Sequence, residues 1–235
     1  MQRKAVLLFS GGPDSTSAAY LLKDSRNLVL FTVHEPERTR NHSEVASALK
    51  IAKGIELPHK VIDMAFSNQL FDDVERIAVG LGGGNAPGKG NILPLSLSKA
   101  KCVAPGKSEA PFSLAFLHLS AAIYAAAHDV EEIIWAVHRD DDVPAGWIAQ
   151  YTEQFNMLIR CFVARVHMST PVLGYSKREL LDLGGRAGAP LADTFSCLVN
   201  SDGTHCGSCH GCIERAAALN SFDANNPTMA AANAA

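Results

Sequence analysis

The 235-residue sequence has no surplus of positive charge: 21 Lys and Arg stand against 24 Asp and Glu, for a net charge of −3. That absence removes the bulk electrostatic case for a nucleic-acid or membrane partner. No apolar run is long enough to span a bilayer. The first residues, MQRKAVLLFSGG, set two cations before an apolar stretch. The stretch is too short for a signal peptide and runs straight into a glycine-rich turn, so the expected compartment is the cytoplasm. That turn has no following Gly-Lys-Ser/Thr, which excludes a Walker A loop. It also lacks the two-glycine spacing of a dinucleotide fingerprint. Apolar residues are plentiful, at 47%, enough for the core of one large domain or of a domain with a small appendage. Six cysteines without a signal sequence point to a reducing compartment and to metal ligation rather than disulfides.

The turn is the most informative segment. Residues 4–9 (KAVLLF) read as a buried parallel strand and 16–22 (TSAAYLL) as a packed helix. Between them lie Ser10, Gly11, Gly12, Pro13, Asp14 and Ser15. Glycines let the backbone approach an anion, and a helix N-terminus directs unpaired N–H groups and partial positive charge at it. Ser10, Ser15 and Thr16 add hydroxyls, so the turn is suited to holding phosphate. The plainer reading is a Ser-Gly turn with Asp14 as helix N-cap. Ser-Gly-Gly-x-Asp-Ser resembles the loop of the N-type ATP pyrophosphatases, which split ATP between its α and β phosphates and form an adenylate. The resemblance implies ATP as cosubstrate, bound by Ser10, Gly11, Gly12, Asp14, Ser15 and Thr16.

Further strands are expected at 27–33, 60–64, 132–137 and 164–168. Helices are expected at 42–55, after Ser67 as a cap, at 145–162 and at 176–187. The last opens on a capping box, Ser176 with Glu179. Residues 111–127 are apolar almost all round, which predicts a buried helix. This alternation argues for an α/β fold with a doubly wound, mostly parallel sheet. Residues 80–107, rich in glycine, break the rhythm and are too long for a simple connection. The expected organisation is an α/β domain over 1–190 with an irregular insertion at 80–110, a metal-binding lobe over 191–222, and a flexible tail over 223–235.

The lobe carries Cys197 and then Cys206, Cys209 and Cys212, spaced by two residues. Four thiolates suit tetrahedral Zn2+, and a closed four-Cys site is structural rather than catalytic. An iron–sulfur cluster is the alternative, and His205 or His210 could replace one thiolate. Cys161 is expected in the core, and Cys102 has no assigned role. After the fourth strand come Arg139 and the acidic residues Asp140, Asp141 and Asp142, where ligands of open α/β sheets bind. They are either a solvated loop or, with substrate phosphates, a Mg2+ site. His34 is placed similarly after the second strand. Trp147 and Phe112 are candidates to stack on a purine-like ring or to pack in the core.

The N-terminal loop together with the C-terminal Cys-x8-Cys-x2-Cys-x2-Cys-x2-Arg cluster resembles the 7-cyano-7-deazaguanine synthases. Thr170-Pro171-Val172-Leu173, Lys177, the segment from Cys206 through Arg215, Pro227-Thr228 and the central helix Ser120 to Ala125 extend the likeness over most of the chain. It implies that the carboxylate of 7-carboxy-7-deazaguanine is adenylated, that ammonia displaces AMP to give an amide, and that a second adenylation dehydrates the amide to the nitrile. It further implies a structural zinc, a homodimer, and Lys177 near the α phosphate beside Ser10, Asp14 and Ser15. The departures lie on the acceptor side. The family's Pro-Gly-Arg-Asn is replaced by Pro111-Phe112-Ser113-Leu114, with Pro87-Gly88-Lys89-Gly90-Asn91 as a displaced substitute. Its Tyr-Pro-Asp-Cys-Arg run is absent, and its Tyr-Gly-Gln-Arg-His reads Glu35-Pro36-Glu37-Arg38-Thr39. His138, Arg139 and Asp141 are the expected replacements around the base. Two rival readings remain open: a divergent ligase that joins a related carboxylate to another amine, and a catalytically silent nucleotide-binding module.

Overall fold

The computed structural model describes residues 2–35, 39–64, 113–141 and 144–223. The expected cap at Ser67, the insertion at 80–110, Phe112, Asp142 and the tail beyond residue 223 lie outside them. The chain order is β1 (Arg3–Leu8), α1 (Pro13–Leu22), β2 (Arg26–His34), α2 (Thr39–Ile55), β3 (His59–Asp63), α3 (Ser113–Ala127), β4 (Glu132–Ile134), α4 (Ala145–Arg160), β5 (His167–Ser169), α5 (Lys177–Arg186) and α6 (His210–Asp223), with a short 3-10 turn at Leu191–Asp193 before α6.

The five strands form one parallel sheet in the order β3-β2-β1-β4-β5. β1 is central because both its faces are apolar. Successive side chains of a strand point to opposite faces, so Ala5, Leu7 and Phe9 join one core and Val6 and Leu8 the other. The first core is closed by Ala18 and Ala19 of α1, Ala48, Ile51 and Ala52 of α2, and Leu180 of α5. The second is closed by Ala121, Ala122 and Ala125 of α3 and by Phe155 and Ile159 of α4. This is the doubly wound arrangement that the strand–helix alternation predicts. Chain order runs outward from β1 in one direction through β2 and β3, then returns to β4 and β5 on the other side. The reversal leaves a crevice at the carboxyl ends of β1 and β4, where ligands of such sheets bind. Among the described residues, no helix is long and apolar enough to cross a membrane.

Several boundaries differ from the sequence pattern. β4 stops at Ile134 rather than residue 137, although the Trp135 amide still donates to the Ser169 carbonyl (3.0 Å). β5 starts at His167, because a turn fills the residues after α4. α3 is buried along one stripe only. Ile123 is 64% exposed and Leu119 40%, so apolar character all round did not mean burial all round. Cys161 caps the end of α4 and is exposed, not core: the helix ends one residue before it and turns it outward.

Candidate functional site

The loop after β1 is held by contacts only glycine permits. Gly11 sits at φ +75, and a Cβ there would lie 2.5 Å from the Ala48 amide nitrogen and 2.8 Å from the Glu44 carbonyl oxygen. No other residue fits without moving backbone of α2. Gly12, not Asp14, is the N-cap of α1; it offers no side-chain cap, and Pro13 follows at the first helical position. The free amides of the first turn therefore keep their capacity for a bound anion. Ser10 is exposed and its Oγ accepts from the Gly12 amide (3.2 Å). The Ser15 Oγ lies 3.2 Å from the Ser10 Oγ and donates to the Gly12 carbonyl (3.2 Å). Thr16 is fully buried, and its hydroxyl has no hydrogen-bond partner among the described residues.

Asp14, in the first turn of α1, gathers the remaining charges. Lys177 Nζ is 3.3 Å from its Oδ2. His138, which leaves β4 and is buried, places Nε2 3.8 Å from its Oδ1. Lys177 opens α5, where the capping box of Ser176 and Glu179 forms as expected. Burial lowers the affinity of the Lys177 ammonium for its proton, but the Asp14 and Glu214 carboxylates outweigh it and hold the pKa above the usual lysine value. The group stays charged. Glu214, in α6, accepts from Lys177 Nζ at 3.0 Å. Sequence reading missed Glu214; its place two residues beyond Cys212, on the turn of α6 that carries Arg215, was the available signal.

The three residues expected around the acceptor base separate. His138 lies against the start of α1, beside Asp14. Arg139 is half exposed and bound to the start of α5, donating to the Gly174 carbonyl (3.0 Å) and to Glu179 Oε2 (3.1 Å). Asp141 is partly buried, and its amide donates to the His138 carbonyl (3.2 Å). Asp140 accepts from the Lys177 amide (3.3 Å). His34 sits at the end of β2 with Nδ1 2.5 Å from Asp63 Oδ1. Trp147 stacks on Tyr151 (centroids 4.9 Å apart, planes at 15°) within a cluster containing Trp135, Phe155 and His118. Packing is its role here.

Cys197, Cys206, Cys209 and Cys212 bring their sulfurs within 4.8 Å of one another, close enough to hold one metal ion. Cys206 and Cys212 are 3.9 Å apart. A tetrahedral ion with metal–sulfur bonds near 2.3 Å separates its sulfurs by about 3.8 Å, so the donor set fits. Amides already point at these sulfurs. Those of Val199 and Asn200 donate to Cys197 (3.4 and 3.2 Å), that of Leu198 to Cys209 (3.3 Å) and that of Cys209 to Cys206 (3.3 Å). Hydrogen bonds from the amide and hydroxyl of Ser208 and from the amide of Cys209 bring the Cys206 thiol down to about 6, which favours the ligating thiolate.

The lobe is tied to the loop. The Phe195 amide donates to the Gly11 carbonyl (3.0 Å), and Ser47 Oγ lies 2.9 Å from that carbonyl and 2.8 Å from that of Asp193. Arg215 fixes α6 by donating to the carbonyls of Leu191 (3.0 Å) and Ala192 (3.2 Å) and to the Thr194 hydroxyl (2.7 Å).

Known proteins are similar to this chain. The 7-cyano-7-deazaguanine synthase of Methanothermobacter thermautotrophicus is 25% identical over 231 residues, covering 96% of this chain and 98% of that protein. The synthase of Brucella anthropi is 27% identical over 237 residues, covering 96% and 93%. Among solved structures, the U34-tRNA thiolase NcsA from Methanococcus maripaludis, described with its 4Fe–4S cluster, superposes with a TM-score of 0.52 at 16% identity, over 96% of this chain and 67% of that one. That likeness shows a common fold. The family described as queuosine biosynthesis protein QueC matches residues 4–76 and 110–223. With the glycine-rich loop after β1 and the cysteine lobe both inside the matched regions, the chain belongs to the QueC family.

Proposed function

We propose that the protein is an ATP-dependent ligase that adenylates the carboxylate of 7-carboxy-7-deazaguanine, releasing pyrophosphate. Ammonia then displaces AMP to give the amide. A second ATP adenylates the amide oxygen, which departs with AMP and leaves the nitrile. The observation that carries this reading is the uncapped start of α1 at the sheet's reversal point, with the Ser10 and Ser15 hydroxyls 3.2 Å apart and the Lys177 ammonium 3.3 Å from Asp14. Free amides and a charged lysine stabilise a leaving pyrophosphate, and positioning supplies most of the remaining rate. Mg2+ would accompany ATP, with Asp140 and Asp141 as carboxylate ligands. His138 and Asp141 are the proposed contacts to the base.

The metal proposed for the cysteine lobe is zinc. Four sulfurs within 4.8 Å close around a single ion, whereas a four-iron cluster puts each thiolate on a separate corner and spreads them wider. With all four positions taken by cysteine, the ion would staple the lobe and take no part in the reaction.

One observation favours a second reading, a ligase with a different carboxylate or amine. Arg139 spends its guanidinium on Gly174 and Glu179, so the acceptor side offers less than the sequence promised. ATP–pyrophosphate exchange and product mass decide the matter. Exchange that depends on 7-carboxy-7-deazaguanine, with amide or nitrile formed from ammonia, is expected. Ser15→Ala should slow exchange by about a hundredfold. Parent-rate exchange in Ser15→Ala would refute the loop assignment, and exchange that ignores the deazaguanine carboxylate would favour the second reading.

A further inference from the structure

The cysteine lobe and the nucleotide loop meet at one side chain that the reaction above does not use. Glu214 is two residues beyond Cys212 in α6 and about two-thirds buried, with its carboxylate on Lys177 Nζ at 3.0 Å. On its other side the same ammonium is 3.3 Å from Asp14 in the nucleotide loop. The Lys177 side chain is only 17% exposed, so solvent does little to weaken either contact. His210, the first residue of α6, brings Nε2 to 2.8 Å from the second Glu214 oxygen.

Glu214 itself is rigidly placed. Gly211 brings α6 so close to Ser196 that a Cβ would lie 2.2 Å from the Ser196 carbonyl oxygen, and the Ser196 hydroxyl donates to the Gly211 carbonyl (3.3 Å). Arg215, the next residue, holds three groups of 191–194. The first turn of α6 contains Cys212, and Cys209 adjoins its start. A helix start framed by two metal-ligand cysteines cannot shift without moving the cluster.

We propose that Glu214 is a positioning residue: it fixes the Lys177 ammonium over the nucleotide loop and so couples the cysteine cluster to nucleotide binding. Lys177 has a long, flexible stem, and one carboxylate partner in Asp14 leaves it free to pivot. A second carboxylate, carried on a separate and anchored helix, defines its position from the far side. This inference rests on the ATP reading above.

The test measures affinity of full-length, metal-loaded protein for a non-hydrolysable ATP analogue by calorimetry, together with bound metal per chain and Tm. Glu214→Gln keeps the shape and removes the charge. It should weaken analogue binding about tenfold, the scale of a lost hydrogen bond to a charged group, with metal content unchanged. Glu214→Asp should recover part of the loss. A purely structural role would not discriminate among these variants once the metal is retained. A double-mutant cycle guards against a folding effect: in a Lys177→Met background, Glu214→Gln should have no further effect on affinity. Unchanged affinity in Glu214→Gln, or an undiminished loss in the Lys177→Met background, overturns the proposal. Failure of the parent protein to bind the analogue at all would instead overturn the ATP reading.

Discussion

The two sides of the β1–β4 crevice are built from different interactions. On one side, α1, α5 and the cysteine lobe are joined by directional contacts: Phe195 to Gly11, Lys177 to Asp14 and Glu214, and Arg215 to 191–194. On the other, α3, α4 and the exit of β4 are joined by ring packing among Trp135, Trp147, Tyr151, Phe155 and His118. Directional contacts demand particular residue types at particular positions. Ring packing asks for shape and volume and tolerates exchange. The loop and cysteine motifs that carry the family resemblance both lie on the first side.

The largest effect that would sharpen this contrast is on the directional side. Cys209→Ala should lose bound metal and stability together. Structural zinc contributes about 10–16 kcal/mol of apparent binding free energy in small metal-folded units, so a loss exceeding about 4 kcal/mol is expected here. Metal analysis with thermal unfolding checks it, and iron with sulfide in the parent, or no metal, would refute the zinc assignment.

A smaller effect belongs to the ring-packed side and appears with pH. His118 is fully buried, its Nδ1 2.9 Å from the Tyr151 hydroxyl, and burial holds its pKa down to about 3. The folded protein keeps His118 neutral, while the unfolded chain takes up a proton near 6.5. The unfolded state therefore binds more protons below 6.5, and stability falls as pH drops toward 3. Between pH 7 and 5 the loss should be about 2 kcal/mol. Denaturant unfolding at the two pH values measures it. His118→Phe should remove that slope, and an equal slope in the variant would assign it elsewhere.

The smallest effect expected is that of Arg139→Ala. Its contacts to Gly174 and Glu179 are solvent-exposed, so stability should change by less than about 1 kcal/mol and ATP–pyrophosphate exchange by less than about threefold. A large loss of deazaguanine binding in this variant would restore Arg139 to the acceptor site and weaken the contrast.

The same contrast explains what the sequence could reveal. β1 to β3, the turn after β1, the Ser176–Glu179 capping box and the cysteine spacing are local patterns, and local patterns are legible. β4 and β5 have three residues each, too few for periodicity to fix their ends. Apolar residues around α3 announced burial but not that Ile123 would face outward. Cys161 read as core because cysteine is usually buried, yet its helix ends beneath it. The separation of His138 from Arg139 depends on α5 reaching back to claim the guanidinium, a contact between residues 40 apart in the chain. Glu214 is joined to Lys177 across 37 residues. No window of sequence contains either pair.

The approach of α1 to α5 has a mechanical meaning. A Cβ at Gly184 would fall 2.4 Å from the Ser17 side chain, so the two helices touch without a spacer. A joint that tight has no play. The start of α1 and Lys177 at the head of α5 therefore form one half of a vice that does not open. Any clasping of a substrate in this crevice has to be performed by the ring-packed half, whose contacts slide more readily than they break.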